Sequence, residues 1–147
     1  FLLLLIGLIV TGHGQFASGM TEALKVIQGN ELINYHYIDF KMDDSVERLE
    51  EKIKQALDEL KDCEGILILC DLIGGSPFKS SVILGTSKEN VEIIAGTNLP
   101  MLVEAYLLCQ VHNDVKQLTK QMIETGKSMI CQYTYTTYNE EELEEGI

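Results

Sequence analysis

Positive charge is scarce in this chain. Eleven Lys and Arg stand against 23 Asp and Glu, giving a formal net charge of -12. Nucleic-acid binding rests on cations that neutralise phosphates, so this balance argues against a nucleic-acid partner. It disfavours an anionic membrane surface for the same reason. A protein partner with a basic docking face suits it better, because opposite fields speed encounter. Long apolar runs are lacking too. The run from Phe1 to Val10 covers ten residues, whereas a membrane-spanning helix needs about 20. No basic segment precedes that run and no small-residue cleavage site follows, so a signal peptide is not expected. Cysteine is sparse and dispersed at Cys63, Cys70, Cys109 and Cys131, with no Cys-x-x-Cys. Such spacing argues against a zinc site, no metal is expected, and it fits reduced thiols in a cytoplasmic protein.

What is present is an ordinary globular composition, 46% hydrophobic and 23% charged in 147 residues. One domain with one substantial core is expected over residues 1–147, ending in an acidic tail from about Asn139 to Ile147. Strand and helix patterns alternate along the chain. Leu2–Val10 reads as a strand buried on both faces, as parallel strands are. A helix follows from Phe16 to Gln28, with Phe16, Met20, Ala23, Leu24 and Ile27 at helical spacing and a stop at Gly29-Asn30. Asn34–Phe40 is a short strand. Asp43-Asp44-Ser45 offers caps for a helix to about Leu60, with Glu50 and Lys54 spaced to pair. Gly65–Cys70 is another buried strand, after which Ser76 is placed to cap a helix with Pro77 at its first position. Val91–Ala95, a helix from Leu99 to Cys109, a helix from Asp114 to Ile130 and an edge strand Cys131–Tyr138 complete the order. This alternation predicts an α/β fold with right-handed crossovers and a mostly parallel sheet carrying helices on both faces.

Two turns carry the chemistry. Thr11-Gly12-His13-Gly14 ends the first strand, and Asp71-Leu72-Ile73-Gly74-Gly75-Ser76-Pro77 ends the third. In open α/β sheets the carboxyl edge of the strands is where ligands bind, at the point where the strand order reverses. If these strands are neighbours, His13 and Asp71 meet beside a helix amino terminus. An Asp bonded to one ring nitrogen fixes the tautomer and leaves the other nitrogen as a nucleophile. Phosphoryl transfer asks mainly for positioning and charge stabilisation, which backbone N–H groups at a helix start supply. Gly14, Gly74 and Gly75 let the backbone approach closely, and the Ser76 hydroxyl adds a donor. No cofactor is expected. Taken singly, each of these residues also fits plain turn geometry. His36 reads as packed or partly exposed, and His112 as a histidine in a solvated interhelix turn. A Ser-His-Asp hydrolase built on Ser76 is disfavoured, because Pro77 breaks the Gly-x-Ser-x-Gly elbow.

These residues resemble the IIA component of the mannose/fructose/sorbose type of bacterial sugar phosphotransferase system. The resemblance rests on Gly12-His13-Gly14, on Asp71 through Gly74-Gly75-Ser76-Pro77-Phe78, on Ile94-Ala95-Gly96-Thr97-Asn98-Leu99-Pro100-Met101-Leu102 and on Glu124-Thr125-Gly126. It implies a flavodoxin-like, doubly wound sheet of order 2-1-3-4. It further implies a last, antiparallel strand exchanged between two subunits of a homodimer, for which Cys131–Tyr138 is the candidate. The implied activity is acceptance of a phosphoryl group on His13 from the phosphocarrier protein HPr and its transfer to a IIB component, which serves the membrane IIC and IID components. Asp71 would orient His13, and Gly14, Gly74, Gly75 and Ser76 would hold the phosphate. Leu72, Ile73, Asn98, Pro100 and Met101 are candidates for a docking rim, and a plain core role fits the Asn98–Met101 group equally well. The chain departs from the family where Gly12, not a hydroxyl residue, precedes the histidine, with Thr11 one position earlier. With no IIB-like segment after Cys131–Tyr138, it reads as a free-standing IIA. The alternative implied by the resemblance is a regulatory domain of a transcription activator. A dihydroxyacetone kinase subunit shares the His turn but is expected to lack Gly-Gly-Ser-Pro-Phe.

Overall fold

The computed structural model describes residues 5–135. Four strands, β1 (Ile6–His13), β2 (Tyr35–Phe40), β3 (Gly65–Cys70) and β4 (Val91–Ile94), form one sheet in the order β2-β1-β3-β4. All three pairings are parallel, as the alternation predicts. Five helices connect and follow them: α1 (Phe16–Gln28), α2 (Val46–Glu59), α3 (Ser76–Gly85), α4 (Leu99–Cys109) and α5 (Val115–Ser128).

The sheet is covered on both faces because its central strands are apolar on both. Successive strand side chains point to opposite faces. Leu8, Val10, Leu67 and Leu69 pack with Leu24, Leu102, Ala105, Leu118 and Met122 on the α1, α4 and α5 side. Ile9, Ile66, Ile68 and Cys70 pack with Leu49, Ile53, Ala56 and Leu57 on the other. A continuous hydrophobic run therefore becomes two half-cores separated by one backbone layer.

Local signals set most boundaries. Ser45 Oγ accepts the Arg48 N–H at 3.1 Å and starts α2. Asn98 Oδ1 accepts the Met101 N–H at 3.1 Å and starts α4, and Asp114 caps α5 through Lys116 and Gln117. Four expectations need correction. β1 runs on through His13, so the histidine is the last strand residue and not part of a turn beyond the strand. Gly75, not Ser76, is the N-cap of α3, and Ser76 is its first residue. The ion pair on the exposed face of α2 joins Arg48 and Glu51 at 3.3 Å in place of Glu50 and Lys54; an exposed pair of this kind contributes little. Cys131–Tyr135 is not a strand in the single chain. The rest of the predicted last strand and the acidic tail lie outside the described residues, as does the start of the Phe1–Val10 run.

Candidate functional site

The β1 and β3 ends lie side by side because those strands pair in register, Thr11 opposite Cys70. The next residues, Gly12 with His13 on one strand and Asp71 on the other, meet at the carboxyl edge of the sheet. Asp71 Oδ2 accepts two bonds from His13, from the backbone N–H at 2.9 Å and from ring Nδ1 at 2.8 Å. Its other oxygen accepts the Leu72 N–H at 2.8 Å. Burial is the largest single influence on this carboxyl and raises its pKa. The hydrogen bonds from His13 and Leu72, with the charge of His13, outweigh it, and the net shift is below the usual value. Asp71 is thus a carboxylate at neutral pH, and a carboxylate only accepts. Nδ1 must then carry the proton, which leaves the lone pair of Nε2 free.

Accessibility divides the pair. The Asp71 side chain is 10% exposed and that of His13 46%, so the orienting group is shielded while the ring meets solvent. The ring also rests edge-on against Phe40, centroids 6.0 Å apart and planes at 73°. Two glycines make room for this arrangement. A Cβ on Gly12 would lie 2.9 Å from Asp71 Cγ and 2.5 Å from the Phe16 ring. One on Gly75 would lie 2.5 Å from His13 Cε1 and 3.1 Å from Nε2. The absence of a side chain at Gly12 is therefore a requirement of this packing. Thr11 does not substitute for a hydroxyl there, since its Oγ1 is buried and donates to Ile38 O at 2.9 Å.

Gly74 takes a positive φ of 85° and Gly14 one of 58°, the left-handed region that glycine enters without steric cost. Through Gly74 the chain turns into α3 next to the ring, and through Gly14 it turns into α1. The start of α3 differs from the other helix starts. α2, α4 and α5 receive side-chain oxygens from their own caps, and α1 receives one from Asp39, which accepts the Ser18 N–H at 2.9 Å. Among the described residues, only α3 opens with no side-chain acceptor on its first turn. Its free N–H groups and positive dipole end face the neighbourhood of Nε2, where an anion is stabilised. Ser76 Oγ makes no hydrogen bond among the described residues, and none joins it to His13, so a Ser-His-Asp relay is not assembled.

The expected rim is only partly realised. Leu72 and Ile73 are 52% and 77% exposed beside the site. Met101 is buried, because α4 is apolar all round and its first turn packs into the core against Gly126; it offers no docking surface. Asn98 is used twice within the fold, as cap of α4 and as donor to Gly126 O at 2.9 Å. Pro100 lines an apolar groove of about 340 Å³ with Ile27, Leu99, Val103, Leu107 and Met129. Sequence reasoning missed three residues on the β2 side: Asp39, Phe40 and the fully exposed Met42. No short motif marks them; the pairing of β2 with β1 sets Asp39 opposite Gly12 and Phe40 opposite His13, and Met42 follows two residues later. His36 Nε2 lies 3.1 Å from Glu59 Oε2 at the partly exposed surface, away from the histidine turn.

No helix among the described residues is long and apolar enough to cross a membrane, and no group of three potential metal ligands occurs among them.

The family model for the PTS system fructose IIA component matches residues 7–123. The mannose-specific EIIAB component of the phosphotransferase system of Escherichia coli (strain K12) is 34% identical over 122 residues, 83% of this chain and 38% of that protein. This chain thus spans less than half the length of that relative. The fructose-specific EIIA component of Bacillus subtilis is 30% identical over 118 residues, 80% of each chain. Among solved structures, the phosphotransferase component EIIA of Streptococcus agalactiae superposes with a TM-score of 0.75 at 29% identity, over 87% of this chain and 97% of that one. A shared sheet order alone would show only a fold, but here the sequence match runs through both turns that build the site, and the chain belongs to the family of PTS system fructose IIA components.

Proposed function

We propose that this chain is a phosphocarrier of a sugar phosphotransferase system, taking a phosphoryl group from HPr onto His13 and passing it to a IIB component. The observation that carries this reading is the His13 Nδ1 to Asp71 Oδ2 bond of 2.8 Å, which leaves Nε2 free beside the start of α3, a first turn with no side-chain acceptor among the described residues. In the transfer, the lone pair of Nε2 forms a bond to phosphorus while the bond from phosphorus to the donor's nitrogen breaks, and that nitrogen keeps the electron pair. Positive charge developing on the His13 ring is met by Asp71 through Nδ1–H. The phosphoryl oxygens are met by the first-turn N–H groups of α3 and by the Ser76 hydroxyl. Pro77 contributes none, since it lacks an N–H. Gly14, Gly74 and Gly75 keep the approach open. Transfer to IIB is the same step with His13 as leaving group.

Leu72 and Ile73, which follow Asp71, and Met42, which follows the end of β2, are apolar and exposed. They are the docking rim in this reading. The protein works in the cytoplasm, upstream of the membrane IIC and IID components. Cys131–Tyr138 is the strand exchanged in a homodimer, a low-cost route to association. It answers the open edge of the short β4, which would otherwise present unpaired backbone groups.

The test is labelling by phosphorylated HPr. Wild-type protein is expected to acquire acid-labile phosphate and His13→Ala none. Persistent labelling of His13→Ala would remove this residue from the mechanism.

A further inference from the structure

β2 ends at Phe40, opposite His13, with Asp39 opposite Gly12. From these two residues three contacts reach the histidine turn. Asp39 Oδ1 accepts the N–H of Ser18, in the first turn of α1, at 2.9 Å. Phe40 O accepts the N–H of Gly14 at 2.7 Å. The Phe40 ring meets the His13 ring edge-on at 6.0 Å. The chain between His13 and α1 is only Gly14 and Gln15, and Gln15 gives α1 no side-chain cap. The first turn of α1 is therefore anchored from another element, and so is Gly14, the residue after His13.

Asp71 holds the ring through Nδ1, but a single bond leaves the ring free to rotate about it. A second contact on the opposite side removes that freedom. We propose that the carboxyl end of β2, through Asp39 and Phe40, is a second clamp that positions His13 for transfer. Asp39 and Phe40 are positioning residues, since neither touches the phosphoryl group. Asp39 fixes where α1 begins and with it the Gly14–Gln15 turn; Phe40 limits the swing of the imidazole. The carboxylate has a further consequence. It fills the amino end of α1, so that α3 is left as the helix start open to an anion next to Nε2. The inference rests on the phosphocarrier reading for its kinetic arm and on geometry alone for its spectroscopic arm.

The variants are Asp39→Ala, Asp39→Asn and Phe40→Leu in the full chain. Asn keeps an acceptor oxygen for the Ser18 N–H, and Leu keeps the backbone carbonyl and the apolar volume. Transfer from phosphorylated HPr is measured at varied HPr, and the His13 ring protons are followed by NMR at fixed pH. Asp39→Ala and Phe40→Leu are expected to lower kcat on the order of tenfold, because small misplacements of a reacting group are costly, with KM for HPr unchanged. The His13 ring resonances shift in both. Asp39→Asn recovers most of the rate. If Asp39→Ala fails to fold, Phe40→Leu decides. A folded Phe40→Leu with wild-type kcat, or a folded Asp39→Ala with wild-type kcat and unmoved His13 resonances, would overturn the clamp; in Phe40→Leu the loss of the ring current moves the resonances in any case. If wild type itself is not labelled by HPr, the phosphocarrier reading fails instead, and the NMR comparison still decides whether β2 positions the ring.

Discussion

Replacing Gly75 by alanine adds one methyl group at the most crowded point of the site. The backbone there has φ -76° and ψ 170°, which any residue adopts, so the substitution carries no conformational strain. Its effect comes from contact alone. The new Cβ would stand 2.5 Å from His13 Cε1, 3.1 Å from Nε2 and 3.3 Å from Leu72 Cδ1. Carbon atoms in contact sit at about 3.5–4.0 Å, so the ring must retreat by roughly 1 Å or the start of α3 must move away. Retreat of the ring strains its 2.8 Å bond to Asp71, and a hydrogen bond to a charged group is worth about 1.5–3 kcal/mol. A displacement of this size in a reacting group costs on the order of a hundredfold in rate. A glycine-to-alanine change at a permitted φ gains about 0.4–1 kcal/mol through the unfolded chain, which offsets only part of that strain. The expected signature is a transfer rate from HPr reduced by roughly ten- to a hundredfold with an unchanged or slightly lowered melting temperature. Rapid-quench transfer kinetics and a thermal melt on the same sample measure both. A rate within twofold of wild type would refute the claim that Nε2 and Gly75 share this space.

Gly74→Ala gives the opposite pattern. Its φ of 85° strains any side chain while no atom lies within 4 Å of the added Cβ, so stability falls by about 1–2 kcal/mol and the rate changes less than in Gly75→Ala. Asp71→Asn lowers the transfer rate at least tenfold, about 1.4 kcal/mol in the barrier, with the fold intact by circular dichroism. The pKa of Asp71 is lower in the folded than in the unfolded chain. Its ionised form therefore stabilises the fold above the unfolded carboxylate value of about 3.9, and that contribution is lost as pH falls through the folded value. The stability gap between wild type and Asp71→Asn, from urea melts, is expected to be flat near neutrality and to close under acid. Thiol labelling of the native protein should modify the exposed Cys131 first. Burial pushes the Cys70 and Cys109 thiols up to about 12, and both should react only in denaturant; fast reaction at either would mean the core opens. Truncation before Cys131 should weaken dimerisation in sedimentation measurements, and a tight truncated dimer would count against strand exchange.

The strongest sequence signals were those whose physics is local. α4 begins and ends where the sequence places it, because Asn98 caps, Pro100 suits a first turn and the apolar run ends at Cys109. The meeting of His13 and Asp71 was legible at one remove. Two buried strands and right-handed crossovers set β1 beside β3, and the turn residues follow from that pairing. Asp39, Phe40 and Met42 were not legible. Asp39 looks like any polar strand end until the register of β2 against β1 is known, and its hydrogen bond to Ser18 spans 21 residues. The apparent rim at Asn98 to Met101 misled for a related reason. An apolar first turn reads alike whether it faces a partner or the core, and the Gly126 contact that buries Met101 comes from a separate helix. The alternation of Tyr133 and Tyr135 describes a ribbon with two faces but does not supply the edge on which it lies.

The account stands on which ring nitrogen bears the phosphate. Protein labelled with ¹⁵N-histidine, phosphorylated by HPr and read by phosphorus–nitrogen coupling in NMR, identifies it directly. Coupling to Nε2 of His13, with Nδ1 still protonated toward Asp71, is the predicted result. Phosphate on Nδ1, or on any residue other than His13, would contradict it.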